Sequence, residues 1–136
     1  MNDPRIHGPL AGVRVLDVTT ELGRFAGKVL AELGADVLRV RPGEPGPDLI
    51  PPPGSVGDGL GLLDHWHDSG CRIGLLDLDQ PADITRFQAL VGRCDIVIDG
   101  RAPSEILGRG LGPSDLAALN PRLVHVSLTP QGMEGP

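Results

Sequence analysis

Several things are missing from this sequence, and each absence narrows the field. No apolar run reaches the ~18 residues that a membrane-spanning helix needs, which sets helical membrane proteins aside. The first residues, Met1 to Pro9, lack the basic-then-apolar order of a secretory leader, so the expectation is a soluble, cytoplasmic protein. Basic residues are in the minority, 12 Lys and Arg against 18 Asp and Glu, a formal net charge of -6. The arginines are scattered rather than massed, and a nucleic-acid surface needs a clustered basic excess, so none is expected. Two cysteines, Cys71 and Cys94, stand far apart with no C-x-x-C spacing. That excludes a disulfide framework or a zinc site of the usual pattern and leaves two free thiols. There is no internal repeat and no block of like charge. G-x-G-x-x-G is also missing after the first apolar run, where "TTELGRFAG" supplies only Gly23 and Gly27, which argues against a nicotinamide-dependent dehydrogenase.

What is present alternates between two periods. With 40% apolar residues in 136, residues 1–136 can form a single domain around one core. "VRVLDV" (Val13 to Val18) is β-branched and reads as a strand. Phe25, Val29, Leu30 and Leu33 then recur at helical spacing until Gly34 offers a terminus. Asp36 to Val40 supplies a second strand after a short turn, and so compact a strand, helix, strand unit implies parallel pairing with a right-handed crossover. Arg72 to Leu78, Cys94 to Asp99 and Leu123 to Leu128 read as three more strands. Asp79 is expected to cap the helix that begins near Pro81, and Ser104 and Ser114 to cap two short helices, the second ending at Asn120-Pro121. The fold class expected is α/β, an open, mainly parallel, Rossmann-like sheet with flanking helices.

Between the second and third strands, residues 42–61 are dense in Pro and Gly, which suits a long surface loop rather than helix or central strand. Arg39 and Arg41 alternate at the end of the second strand and are expected not to share one side of the sheet edge. Arg41, beside Pro42, sits at the C-terminal end of that strand, where an open α/β sheet meets its ligand. "DHWHD" (Asp64 to Asp68) invites a metal assignment, but His65 and His67 point the same way only in a strand and no third ligand is spaced nearby, so no metal is expected. Trp66 is expected to pack that segment. "GRGLG" (Gly108 to Gly112) joins two helices rather than a strand to a helix, and reads as a linker rather than a nucleotide loop.

Taken together, "LAGVRVLDVTTELGRFAGKVLAELGADVLRV" (Leu10 to Val40), "LDLDQPAD" (Leu76 to Asp83), "CDIVID" with Pro103 beyond it, and "LGPSDLAALNPRLVHVSLTPQGMEGP" (Leu111 to Pro136) resemble the amino-terminal half of the class III CoA-transferases. That family includes formyl-CoA and carnitine CoA-transferases and the α-methylacyl-CoA racemases. The resemblance implies a Rossmann-like large domain built from both ends of a chain about three times this length, in interlocked dimers that bind acyl-CoA. It also implies covalent catalysis, in which an aspartate carboxylate attacks the acyl-CoA thioester to give a mixed anhydride. CoA then returns to form an enzyme-bound thioester and passes to the acceptor acid.

The family's catalytic aspartate, or the His and Asp pair of its racemases, follows the segment matched here. The chain is therefore expected to be an incomplete large domain, a fragment or one subunit of a split enzyme, completed by a homo-oligomer or a second chain. Departures from the family pattern mark the binding half. "LGRFAG" (Leu22 to Gly27) is one residue shorter than an Ala-Gly-Pro-Phe-like turn and puts Arg24 where Pro is expected. "SGCRIG" (Ser69 to Gly74) has Cys71 at a Lys position and keeps Arg72. "GRAPS" (Gly100 to Ser104) and "PQG" (Pro130 to Gly132) replace Asn-Phe-x-Pro-Gly-like and Gly-Phe-Gly-like turns. The residues expected to meet CoA, at the strand C-termini, are Thr19, Leu22, Arg24, Arg41, Arg72 and Arg101. A degenerate, non-catalytic scaffold or partner subunit, or part of a racemase, is the alternative. Asp17 and Asp99 read as structural hydrogen-bonding groups, and Glu134 as the one acidic residue worth testing as a substitute nucleophile.

Overall fold

Strand β1 (Arg14–Val18) is the middle of the sheet, and everything else is arranged around it. It is followed by α1 (Arg24–Glu32), β2 (Asp36–Arg41), α2 (Leu62–Asp68), β3 (Arg72–Leu75), α3 (Pro81–Val91), β4 (Ile96–Asp99), α4 (Pro103–Ile106), α5 (Pro113–Leu119) and β5 (Val124–Ser127). The computed structural model describes residues 7–42 and 62–133, so the expected loop over 42–61 lies, apart from Pro42, outside the described residues, as does Glu134. The five strands pair in the order β3-β2-β1-β4-β5, all parallel, which is the α/β architecture expected and the strand order of doubly wound sheets.

Alternation along each strand sends side chains to two faces. Leu16, Val18, Val40 and Val97 pack with Phe87, Val91, Ile106, Leu111 and Leu116 of the α3 to α5 side. Val15, Val37 and Ile98 pack with Ala31 of α1 and Ala35 on the other. Among the strand residues on the α1 side are two charged ones, Asp17 and Arg39, both fully buried.

Helix α1 starts after Gly23, whose φ of 97° no side-chain-bearing residue adopts easily, and ends as the sequence suggests. Gly34 at φ 97° donates its N–H to Ala31 O, and Ala35 donates to Leu30 O, which together form a Schellman terminus. The residues α1 buries are Gly27, Lys28 and Ala31, whereas Phe25 and Leu33 of the apolar periodicity are exposed.

Three expected caps are displaced for one shared reason. Pro81, Pro103 and Pro113 each occupy the first helical position, where the missing N–H costs nothing, so the residue before each must be the cap. The caps are therefore Gln80, Ala102 and Gly112 rather than Asp79, Ser104 and Ser114, and none of them makes a side-chain cap bond. An acidic residue in the first turn compensates: Glu105 Oε2 accepts the Ala102 N–H at 2.7 Å, and Asp115 Oδ2 the Gly112 N–H at 3.1 Å. Helix α5 does end at Leu119, before Asn120-Pro121.

The strands match the expected runs with trimmed ends. β3 stops at Leu75 rather than Leu78 because its neighbour β2 stops opposite, at Arg41. After Leu76 donates to Arg41 O the chain turns, with Gln80 N bonded to Asp77 O. β4 and β5 begin at Ile96 and Val124, one or two residues later than read, within the usual uncertainty of strand ends.

Candidate functional site

The C-terminal ends of parallel strands are where an open α/β sheet meets its ligand, and two hollows lie there. A cavity of about 210 Å³ is bounded by Thr19 and Thr20 after β1, Asp77 and Asp79 after β3, and Arg101 and Arg109. A second, of about 550 Å³, opens between the loop after β4, Gly100 to Glu105, and the loop after β5, Thr129 to Met133. Thr20, Arg101 and Glu105 border both. The loops that form this rim are pressed together: a Cβ on Gly100 would stand 3.0 Å from Leu22 O and 3.1 Å from Thr19 Cα.

Arg101 stands between the two hollows. Its Nε donates to Asp99 Oδ1 at 2.9 Å and its Nη2 to Asp99 Oδ2 at 2.6 Å, a bidentate fork that its own backbone N–H reinforces at 3.0 Å. The guanidinium carbon lies 5.7 Å from the centre of the Phe87 ring, within cation–π range. Arg109, on the opposite wall of the smaller hollow, pairs with Asp79. Sequence reasoning took Arg109 for part of a linker, and only its tertiary position brings it to the rim.

The other expected ligand-holding residues divide. Thr19 lines the smaller hollow, and both its N–H (2.9 Å) and its hydroxyl (2.6 Å) donate to Asp17 Oδ1. Leu22 is exposed on the same β1 loop. Arg24, at the start of α1, pairs with Asp64 of α2 at 2.5 Å. Arg41 ends β2 and pairs with Asp68 of α2. Arg72 is brought to a different place: it opens β3 beside Leu38 and grips Asp36, the first residue of β2, through two 2.8 Å bonds, at the N-terminal edge of the sheet. The structure thus gathers Thr19 and Arg101 at one hollow and leaves Arg72 at the far edge.

Arg39 and Arg41 correct an expectation. Residues two apart on a strand share a face, and both guanidiniums reach Asp68, Arg39 through Nη1 at 2.8 Å. Arg39 also donates to His67 O (2.9 Å), Arg24 O (2.6 Å) and Asp17. This ionic chain through Asp17, Arg39, Asp68 and Arg41 ties β1, β2 and α2 together, and it was not read from the sequence because its members meet only in the fold. "DHWHD" is helical, so His65 and His67 do not share a direction, and His67 Nδ1 lies 2.8 Å from Leu63 O. Trp66 does pack, though half-exposed: its ring stacks on Phe25 at 5.8 Å and carries Lys28 Nζ 4.7 Å from its centre. Among the described residues no group of three His, Cys, Asp or Glu side chains is placed to hold a metal ion, and no helix is long and apolar enough to cross a membrane.

Titration behaviour follows burial. Desolvation pushes the Cys94 thiol up to about 11, helped by the charge of Asp95, and desolvation also raises Cys71. His125 is lowered, first by burial and then by the Arg101 charge, against an upward pull from Asp99.

Comparison with known proteins agrees with this geometry. A family model described as CoA-transferase family III matches residues 10–136. The chain is 34% identical to the succinate–glutarate CoA-transferase of Agrobacterium fabrum over 98% of its own length and 35% of that protein's. It is 36% identical to subunit BbsE of the succinyl-CoA:(R)-benzylsuccinate CoA-transferase of Thauera aromatica, over 90% of this chain and 31% of that one. Crystal structures of Rv3272 from Mycobacterium tuberculosis (TM-score 0.78, 34% identity) and of a CAIB/BAIF family protein from Brucella suis (TM-score 0.76, 28% identity) superpose on 95% of this chain and on 36% and 35% of theirs. The chain thus spans about a third of the length of these relatives. The racemase alternative draws no support from these relatives. With the match covering every element of the sheet, the chain belongs to CoA-transferase family III.

Proposed function

We propose that this chain supplies part of the CoA-binding domain of an enzyme that transfers CoA between carboxylic acids. One observation carries the reading: in a chain of this family, the loops after β1, β3 and β4 converge on a hollow that holds Thr19, Arg101 and Arg109. Thr19 and Arg101 would hold the nucleotide end of CoA, with Leu22, Arg24 and Arg41 flanking them. Arg72, at the opposite edge, would act on the sheet rather than on the ligand.

The chemistry of such a transfer needs a carboxylate that attacks the thioester carbonyl, expels the CoA thiolate and holds the acyl group as a mixed anhydride. Asp17 and Asp99 do not offer it, since both are buried and committed to arginines. Neither is therefore the nucleophile, which this reading places on a further part of the polypeptide or on a second chain. An apolar strip on the edge strand supports such a neighbour: Val124 and Val126 of β5 are 55% and 38% exposed on the side that faces α1.

A second reading, the non-catalytic scaffold or partner subunit, is favoured by one feature. Arg24, Arg41, Arg72 and Arg101 all pair with carboxylates of the chain itself, which leaves less charge for a phosphate. Calorimetric titration with CoA separates the two. Binding that weakens as salt is raised and is lost in Arg101→Ala supports the CoA-binding reading. Absence of heat at any salt concentration supports the scaffold.

A further inference from the structure

The Nε2 atom of His125 is a buried nitrogen with no hydrogen-bond partner among the described residues. Its side chain is only 10% exposed, and Nε2 lies 4.0 Å from Asp99 Oδ2. That oxygen is the one that accepts from Arg101 Nη2 at 2.6 Å. The imidazole and the guanidinium thus approach one carboxylate oxygen from two elements, β5 and the loop after β4, and only one of them is bonded to it. Burial of an unpaired polar atom is costly and calls for a reason.

We propose that His125 is a positioning residue that sets, by its protonation, how tightly Asp99 holds Arg101, and hence how readily Arg101 meets an anionic ligand. With neutral imidazole, Asp99 has one cationic partner and both its oxygens are forked by Arg101. When a proton from solvent is taken up at Nε2, the imidazolium N–H becomes a charge-assisted donor, and Asp99 Oδ2 is the acceptor in reach. A carboxylate oxygen shared between two cations brings them into repulsion, which is relieved when Arg101 Nη2 lets go. Nε stays on Oδ1 and the guanidinium turns its free edge toward the hollow that it lines. The charged groups that face His125 are Asp99 and Arg101, one pulling its affinity for protons up and the other down, and burial keeps it neutral near pH 7. The release is therefore a mildly acidic event.

This inference rests on the CoA-binding reading only for its ligand, and the test separates the two. Nitrogen-15 resonances of the His125 ring and of Arg101 Nε and Nη are followed from pH 8 to pH 5 in the full 136-residue chain without ligand. The Arg101 signals are expected to move with the same midpoint as His125, below the ordinary value of 6.5. CoA is then titrated at pH 7.5 and 5.5 into the wild type and into His125→Gln. Acidification should favour the wild type over the variant by roughly three- to fivefold in affinity, the size of one partly exposed ion pair. Comparing the proteins on the same ligand cancels the titration of CoA's own phosphate. Arg101 signals that ignore the His125 titration overturn the proposal, as do identical pH profiles in the two proteins. A wild type whose Arg101 follows His125 but which binds no CoA at any pH upholds the coupling and removes the CoA-binding reading instead. Should the variant not fold, the wild-type resonances decide the matter alone.

Discussion

Asp17 and Arg39 stand directly opposite each other in the parallel register of β1 and β2, and Arg39 closes on Asp17 Oδ2 with two bonds, from Nε at 3.0 Å and Nη2 at 2.8 Å. Both side chains are buried, at 0% and 1% residue exposure. Two charges taken out of water repay their desolvation only when the remaining hydrogen-bonding capacity is met. Here it is: Asp17 also accepts from Thr19 twice, and Arg39 donates to Asp68, His67 O and Arg24 O. The pair thereby links the sheet to the loop that carries Thr19 and to helix α2.

Removing Asp17 leaves the buried Arg39 with Asp68 as its remaining carboxylate, and Arg41 shares that one. Asp17→Ala should cost about 2–3 kcal/mol of stability, because Arg39 Nε and Nη2 and the two Thr19 donors lose a buried acceptor while the bond to Asp68 persists. The double variant Asp17→Leu/Arg39→Met should recover much of that loss, since apolar residues of similar volume need no partner. Urea denaturation monitored by Trp66 fluorescence reads both. A loss under about 1 kcal/mol in the single variant would show that Asp68 and water together satisfy Arg39 without Asp17.

Gly27 carries the consequence to α1. Alanine is the better helix former by about 1 kcal/mol, yet a Cβ at Gly27 would collide with the Asp17 carboxylate and come within 2.8 Å of Arg39 Nη2. Gly27→Ala is therefore expected to destabilise by about 1–3 kcal/mol, the range of an overpacked core site, in spite of its helix propensity. Thermal unfolding measures this. A variant as stable as the parent would mean that α1 slides off the ion pair at little cost.

How much of this was legible beforehand depended on range. The five strands and the Gly34 terminus follow from β-branched runs and from one glycine, signals that sit within a few residues. The caps at Gln80, Ala102 and Gly112 were misplaced although the prolines that fix them were in plain view, because a polar residue was preferred over the position that proline dictates. Asp17 was read correctly as a structural hydrogen-bonding group, but its partner was not read, since nothing local links position 17 to position 39. Arg24, Arg41, Arg72 and Arg101 each look like a free cation in the sequence. For three of them the carboxylates, Asp64, Asp68 and Asp36, are identified only by the sheet order and by where α2 lies, whereas Asp99 stands two residues from Arg101 and was within local reach.

His125 gives a pH dependence whose sign can be worked out. Its folded value lies below the ordinary 6.5, chiefly through burial. Between the two values the unfolded chain binds the proton more readily than the folded one, so stability from neutral His125 is complete above about 6.5 and is lost as pH falls through the lower, folded value. Denaturant midpoints at pH 7.5 and 5.5 should fall further for the wild type than for His125→Gln, which carries no titrating group. Parallel declines in the two proteins would place the acid sensitivity in the carboxylates instead.

The last expectation concerns catalysis by the 136-residue chain alone. A transferase of this kind forms a covalent acyl intermediate on a carboxylate, and loss of that carboxylate removes the route rather than slowing it slightly. Asp17 is enclosed by Arg39 and Thr19, and Asp99 by Arg101, so neither presents a lone pair to a thioester carbonyl without first giving up a buried ion pair. Asp77 and Asp79, at the rim of the smaller hollow, are spent on the turn into α3 and on Arg109: the Asp79 N–H donates to Asp77 Oδ1 at 3.0 Å, and Asp79 itself pairs with Arg109. Incubation with radiolabelled acyl-CoA, followed by hydroxylamine or borohydride trapping, should therefore leave no label on the protein, and free CoA should not be released. Label that maps to Asp77, Asp79 or Glu134 would identify a nucleophile within these 136 residues and overturn the proposal that it lies outside them.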